Sequence, residues 1–144
     1  MATVEMTFTP LPAHVRTARL VATAVARRSG VPEALLDEVR LAVGEACSRA
    51  VEVHQEHCPA EPVRVALTGA GERFEVVVTN TATGDDGMEW PPRPAPGADG
   101  QDPAALPAEL GLAVIAGLAD DVQVSRNGDG LSIRMSWPAS SPAR

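Results

Sequence analysis

Residues 41 to 50 are the most informative stretch of this chain, and they read Leu41-Ala42-Val43-Gly44-Glu45-Ala46-Cys47-Ser48-Arg49-Ala50. Apolar residues recur through this stretch at three- and four-residue steps, and the same spacing continues on both sides of it. The pattern predicts one amphipathic helix from Pro32 to about His57. A helix places Glu45 and Arg49 side by side, with the acid first, which is the favoured order for an ion pair.

The rest of the chain predicts strands and helices that are segregated rather than strictly alternating. Period-two patterns and short β-branched runs indicate strands, and helical spacing indicates two further helices. The predicted order is a strand at 3–9, helices at 13–29 and 32–57, strands at 63–67 and 74–79, a helix at 110–118, and strands at 122–125 and 131–136. Gly69-Ala70-Gly71 is the predicted hairpin turn between the two middle strands. This order favours an α+β fold, a two-layer sandwich of a mixed, mostly antiparallel sheet with helices on one face.

The length of 144 residues suits a single domain, which we place at residues 1–137. Residues 81–108 differ from the rest in composition, with six of the 13 prolines and an acidic balance, and they predict a long Pro/Gly-rich acidic loop. The small polar residues 138–144 predict a disordered tail.

Composition excludes several classes of function. A net charge of −7 and a pI of about 4.9 argue against nucleic acid as a partner and favour a basic protein. No run reaches the ~18 apolar residues of a membrane helix, and the first residues lack the pattern of a signal peptide, so we expect no membrane association and a cytoplasmic location. Cys47 and Cys58 would lie about 16 Å apart on one helix, too far for a disulfide, and we expect free thiols.

Four segments carry a resemblance to a known family. The run 41–50 resembles the N-box of the histidine-kinase-like (GHKL, Bergerat-fold) ATPases, and in particular of the bacterial anti-sigma-factor serine kinases. Residues 109–115 resemble the glycine-containing phosphate box of that family, and 118–122 its usual run into the next strand. Residues 78–82 occupy the place of its Val-x-Asp-x-Gly box. The resemblance covers about residues 3 to 137 and implies the GHKL fold.

The resemblance also implies roles for single residues. Glu45 corresponds to the catalytic base, and Gly111 and Leu112 keep the pattern of the phosphate box. Four other positions that would contact the nucleotide or its metal depart from the family: Arg49 for the magnesium-binding asparagine, Asn80 for the adenine-binding aspartate, and Ala82 and Glu109 for glycines.

Elementary chemistry indicates what these departures do. A guanidinium has no acceptor atom, so Arg49 cannot ligate magnesium. It either pairs with Glu45 as a solvated helix salt bridge, which makes Glu45 a poor base, or contacts phosphate directly. Asn80 keeps one carbonyl acceptor for adenine, whereas Ala82 adds a Cβ near the ligand and Glu109 repels a triphosphate. We therefore predict weak or absent binding of ATP and Mg²⁺, assign no metal site, and expect Arg49 to pair with Glu109 across an emptied pocket.

Members of the family sequester a sigma factor, release it to a competing anti-anti-sigma protein with a STAS fold, and inactivate that competitor by serine phosphorylation. The resemblance thus implies an anti-sigma-factor-type regulator and a homodimer. Our leading interpretation is a binding protein controlled by partner switching, with kinase activity weak or lost. The alternative is an active ATP-dependent serine kinase in which Glu45 is the base. A scaffold protein unconnected with sigma factors is the third, since fold does not fix function.

Overall fold

The computed structural model describes residues 2–80, 108–127 and 130–140. Its helices and strands are β1 (Ala2–Phe8), α1 (Pro12–Ser29), α2 (Glu33–His57), β2 (Val63–Ala70), β3 (Arg73–Asn80), α3 (Ala108–Leu118), β4 (Asp121–Asn127) and β5 (Gly130–Pro138). The three helices and five strands match the predicted order. Residues 81–107 of the predicted loop lie outside the described residues, and Ala108 already begins α3.

The five strands form one sheet in the order β1-β2-β3-β5-β4, with every neighbouring pair antiparallel. The first three strands therefore follow each other across the sheet, and β5 inserts between β3 and β4. The predicted α+β class is confirmed, and the described strands contain no parallel pair.

One face of the sheet carries the helices. Alternate residues of β2, β3 and β5 point to this face and are buried, as the period of two requires: Val63, Val65, Leu67, Phe74, Val76, Val78, Ile133, Met135 and Trp137. The intervening residues on the other face are mostly polar, among them Thr68, Glu75, Ser132 and Arg134. The core thus lies between one sheet face and the helical layer, as expected for a two-layer sandwich.

The β2–β3 turn consists of Gly71 and Glu72, so only the last residue of the predicted Gly69-Ala70-Gly71 turn belongs to it. Gly71 and Glu72 both have positive φ, at 59° and 65°, which is the geometry of a tight two-residue hairpin. Gly69 belongs to β2 instead of the turn. A Cβ at this position would lie 2.5 Å from the Ser29 side-chain oxygen at the end of α1, which explains why the residue is a glycine. The glycine marks a close approach between helix and strand rather than a turn.

The predicted disordered tail does not hold for its first three residues. Pro138 is the last residue of β5, and Ala139 is buried. The Ala139 backbone donates to Glu72 O at 2.9 Å, and the Ser140 backbone donates to Gly30 O at 2.9 Å. The chain therefore closes over the β2–β3 turn and the end of α1, while residues 141–144 lie outside the described part. None of the described helices combines the length with the apolar content that a membrane-spanning segment requires.

Candidate functional site

Helix α2 is the structural centre of the candidate site. It runs between α1 and α3, and a buried stripe that includes Val39, Val43, Ala46 and Ala50 packs on the sheet and the other helices. Gly44 lets α1 approach closely, because a Cβ there would lie 2.7 Å from the Arg19 side chain. Residues 41–50 therefore contribute mainly to the packing of α2. This packing also holds their charged side chains in place.

Glu45 and Arg49 form the ion pair that their spacing predicts. Arg49 Nε donates to Glu45 Oε2 at 2.7 Å, and Arg49 Nη1 donates to Glu52 Oε2 at 3.2 Å. The Arg49 and Glu45 side chains are only 10% and 18% exposed, so the interpretation as a solvated surface salt bridge is wrong. Glu52, which is 61% exposed, was not singled out from the sequence, although its i,i+3 spacing from Arg49 was the available signal.

This arrangement does not fit a magnesium ion at position 49. Mg²⁺ is held by oxygen ligands, whereas the guanidinium presents only N–H donors. Those donors occupy an oxygen of Glu45 and one of Glu52, so a cation is already built into the site. Glu45 is present at the base position that the resemblance implies, but its carboxylate is engaged by a buried cation.

Asn80 is the last residue of β3, opposite Leu131 of β5. It is 6% exposed and lies on the face of the sheet that carries the helices. Its side chain makes no hydrogen bond within the described part of the chain. A buried amide without a partner costs free energy, so such a group is a candidate for ligand recognition. The Asn80 carbonyl is an acceptor of the kind that an adenine amino group requires, and its role in adenine binding stays a prediction.

For three of the remaining predicted site residues the structure describes the backbone only, and the fourth lies outside the described residues. Glu109, Gly111 and Leu112 lie in the first half of α3, which packs against α2, but their side chains are not among those described. Ala82 lies outside the described residues. The expected pair between Arg49 and Glu109 therefore stays a prediction.

The far end of α3 is fixed to the sheet by contacts that the sequence did not reveal. Trp137 Nε1 donates to Leu118 O at 3.0 Å, and the fully buried indole packs beside Phe74 with ring centroids 6.2 Å apart. Arg73 donates to Asp120 Oδ2 at 2.7 Å directly after the helix. These contacts hold the C-terminal end of α3 and so determine where its N-terminal half meets α2.

Two other reactive residues of α2 are structural. Burial raises the pKa of the Cys47 thiol to about 12, because desolvation outweighs the lowering by nearby Arg19. His54 is fully buried, and its Nδ1 lies 2.8 Å from Glu61 O in the connection to β2. Within residues 2–80, 108–127 and 130–140, no group of three or more His, Cys, Asp or Glu side chains could hold a metal ion. Cys47 and Cys58 are both free thiols.

Comparison with known proteins agrees with this geometry. A model of the histidine kinase-like ATPase domain matches residues 8–137, which is nearly the whole chain. The chain belongs to the histidine kinase-like ATPase domain family. This GHKL-type domain is also similar to the crystal structure of the RsbU and RsbW domains of Rv1364c from Mycobacterium tuberculosis.

The match to that structure has a TM-score of 0.69 at 17% identity. It covers 100% of this chain and 34% of the other, so the GHKL-type domain spans about a third of that protein. At this identity the likeness shows the fold alone. No curated protein matches the sequence.

Proposed function

We propose that this GHKL-type domain is an anti-sigma-factor-type regulator that sequesters a sigma factor by protein binding. Its release of the sigma factor is controlled by partner switching with a STAS-domain anti-anti-sigma protein, while ATP binding and kinase activity are weak or lost. The observation that carries the second half of the proposal is the buried Arg49 side chain, which contacts both Glu45 and Glu52.

The proposal follows from what a metal–nucleotide complex requires. Transfer of a phosphoryl group needs a bound divalent cation to neutralise charge and a base near the acceptor hydroxyl. In this domain a guanidinium stands where the family has a metal ligand, and it engages the carboxylate at the base position. Glu109 adds a negative charge to the first half of α3, where the family has a glycine. Both changes oppose binding of Mg-ATP.

The sigma-factor part of the proposal is supported by resemblance. The run 41–50 and the α3 segment resemble the anti-sigma-factor serine kinases, and the domain shares its fold with a chain that contains an RsbW domain. Sequestration requires a binding surface and not a working pocket, so the departures at Arg49 and Glu109 do not conflict with it.

The experiment is a two-step binding assay. The tagged domain is expressed in its own organism, co-purified proteins are identified by mass spectrometry, and any sigma factor found is purified and titrated by calorimetry. We expect a sigma factor to bind equally well with Mg-ATP and after treatment with apyrase and EDTA. Recovery of no sigma factor would overturn the sequestration role. Binding that requires Mg-ATP would overturn the loss of nucleotide dependence.

Asn80 favours the alternative of an active serine kinase. Its buried amide has no hydrogen-bond partner among the described residues, as expected for a group that recognises an adenine base. In this alternative Glu45 is the base and the metal uses another ligand. The test is transfer of phosphate from ATP to a serine of a purified STAS-domain protein, with Glu45→Gln as the inactive control.

A further inference from the structure

Asn80 is the exception among the buried polar side chains that the structure describes. Arg49 contacts two carboxylates, His54 Nδ1 lies 2.8 Å from a backbone oxygen, and Ser136 Oγ accepts a hydrogen bond of 2.6 Å. The Asn80 side chain is 6% exposed and makes no hydrogen bond within residues 2–80, 108–127 and 130–140. An amide has two donor hydrogens and one acceptor oxygen, so its whole hydrogen-bonding capacity is left for a ligand.

The position of Asn80 relates it to the C-terminal half of α2. β3 ends at Asn80, and the β2–β3 register pairs Arg64 with Thr79, so Asn80 is level with the first residue of β2. Residues 58–62 alone connect that end of β2 to α2. The half of α2 that contains Arg49 therefore lies at the same end of the sheet as Asn80. The buried amide and the buried cation share one end of the helical side of the domain.

The residues that oppose Mg-ATP act on one half of that ligand only. Arg49 and Glu109 stand at positions where the resemblance implies contacts with the metal and the phosphates. Neither residue acts against an uncharged nucleoside, whose base and ribose carry no formal charge and require no metal. ATP, for which the family is named, is a purine nucleotide, and an asparagine amide is one of the side chains that bind purine edges. The base half of the ligand is therefore still matched by this chain.

We propose that this domain binds an uncharged purine nucleoside without a metal ion, and that Asn80 makes it accept 6-oxopurines as well as 6-aminopurines. The ligand class is thus a free nucleoside such as inosine or adenosine, in place of a metal-bound triphosphate. This inference rests on the proposed weakness of Mg-ATP binding and on family membership, and it does not depend on the sigma factor.

Asparagine and aspartate differ in the bases that they accept. In adenine the 6-amino group is a donor and N1 is an acceptor, whereas in hypoxanthine O6 is an acceptor and N1–H is a donor. The Asn80 amide has an oxygen on one side and an NH₂ group on the other, so rotation by half a turn satisfies either base. The carboxylate that the family has at this position offers acceptors only and faces O6 without a donor. Asn80 therefore removes the discrimination against 6-oxopurines.

Burial makes this recognition selective. Polar atoms that are buried without partners are unfavourable, so a base that pairs with the Asn80 amide relieves a cost that the free domain carries. A purine that lacks a group at position 6 leaves part of the amide unpaired, and we expect it to bind about five- to one-hundred-fold more weakly. The chain has a net charge of −7, which acts against added phosphates and not against a neutral nucleoside.

Calorimetric titration in EDTA tests the ligand class. The full chain is titrated with adenosine, with inosine, and with purine riboside, which has no group at position 6. We expect adenosine and inosine to bind with Kd values below about 1 mM and within about ten-fold of each other, and purine riboside to bind more weakly than both.

The outcomes separate this inference from the proposed function. Binding of only one of adenosine and inosine, binding of neither, or equal binding of purine riboside would overturn the inference and leave the proposed loss of Mg-ATP binding untouched. Binding of Mg-ATP more tightly than either nucleoside would overturn both.

Two variants of Asn80 test the residue itself. At pH 8, where an aspartate is ionised, Asn80→Asp should still bind adenosine and should bind inosine at least about ten-fold more weakly than adenosine. Asn80→Leu should weaken the binding of both nucleosides at least about ten-fold. Thr79→Val is the matched control, because its side chain points to the opposite face of the same strand, and it should bind both nucleosides like the wild type.

Thermal unfolding provides a readout that also reports folding. Inosine should raise the melting temperature of the wild type and of Thr79→Val, because it binds the folded state only, and should leave that of Asn80→Leu unchanged. Inosine binding that persists in Asn80→Leu, or an equal loss of both nucleosides in a folded Asn80→Asp, would overturn the assignment of Asn80.

Discussion

Arg49 Nε donates to Glu45 Oε2 at 2.7 Å on helix α2, and neither side chain is more than 18% exposed. Within this family the pair lies where the resemblance places a metal ligand and a catalytic base. A second carboxylate, Glu52, contacts the same guanidinium from the solvent side. The charged residues that carry the resemblance are therefore paired with each other, and this pairing supports the proposal that nucleotide chemistry is weak or lost.

Removal of Arg49 should cost more stability than removal of another arginine of the same helix. Arg49→Ala leaves the mostly buried Glu45 carboxylate without its cation, and we expect the free energy of unfolding to fall by about 2–3 kcal/mol. Arg40→Ala breaks the Asp37 pair of 3.0 Å, whose members are 50% and 81% exposed, and should cost about 0.5 kcal/mol or less. Urea unfolding of both variants provides the comparison. Equal losses would show that burial of the Arg49 pair has no energetic consequence.

The Asn80 amide should be dispensable for folding. Because it is buried without a hydrogen-bond partner among the described residues, we expect Asn80→Leu to raise the free energy of unfolding by about 1 kcal/mol. Thr79→Val on the same strand is the control, since the Thr79 hydroxyl lies 3.2 Å from that of Ser132 and its loss should be destabilising. Thermal unfolding measures both. A loss of stability in Asn80→Leu would mean that the amide is satisfied within the protein.

Stability should decline at alkaline pH because of Cys47. Its pKa is raised from 9.0 to about 12 in the fold, so the thiol stays protonated where the unfolded chain ionises. The resulting loss is about 1.4 kcal/mol per pH unit, starting near pH 9 and ending near pH 12. The chain has no tyrosine, and all 12 of its basic side chains apart from histidine are arginines, so few other groups titrate there.

Urea unfolding of the wild type and Cys47→Ala at pH 8 and at pH 11 checks this prediction. The wild type should lose more stability than the variant between the two conditions. The variant is the matched reference because it retains Cys58, whose pKa is also raised, first by desolvation and then by Glu61. Parallel declines in the two proteins would exclude Cys47 as the cause.

Restoring the family residues should restore nucleotide binding in part. Arg49→Asn with Glu109→Gly removes the built-in cation and the negative charge of α3, and it returns an oxygen ligand to α2. We expect the double variant to bind Mg-ATP measurably by calorimetry, with Arg40→Asn as a control that changes an exposed arginine only. No gain in affinity would contradict the assignment of the weak binding to Arg49 and Glu109.

The order and type of the helices and strands could be predicted from the sequence, because the spacing of apolar residues follows which side of each element is buried. The stripe of α2 and the alternation of β1 are both consequences of a core on one side, which a single sequence records. The β2–β3 turn was misplaced because Gly69 is required by its contact with Ser29, whereas Glu72 adopts a positive φ that its residue type does not predict.

The sequence predicted which residues of the site are in contact, but not how deeply their side chains are buried. The four-residue spacing of Glu45 and Arg49 predicted their ion pair, since helix geometry alone brings the two side chains together. Their burial depends on how α2 packs in the folded domain, which the helical spacing alone does not encode, so the expectation of a solvated pair was wrong. The burial of Trp137 against Phe74 and Leu118 likewise depends on β5 lying between β3 and β4, an order that no local pattern encodes.

We propose that Arg49, held by Glu45, takes the place of the metal ligand on this scaffold and so weakens binding of Mg-ATP. Calorimetric titration of the wild-type domain with ATP in the presence of Mg²⁺ measures this binding. We expect no binding tighter than a Kd of about 1 mM, which corresponds to about −4 kcal/mol. Magnesium-dependent binding clearly below that value, lost in Glu45→Gln and accompanied by phosphate transfer to a STAS-domain serine, would contradict it.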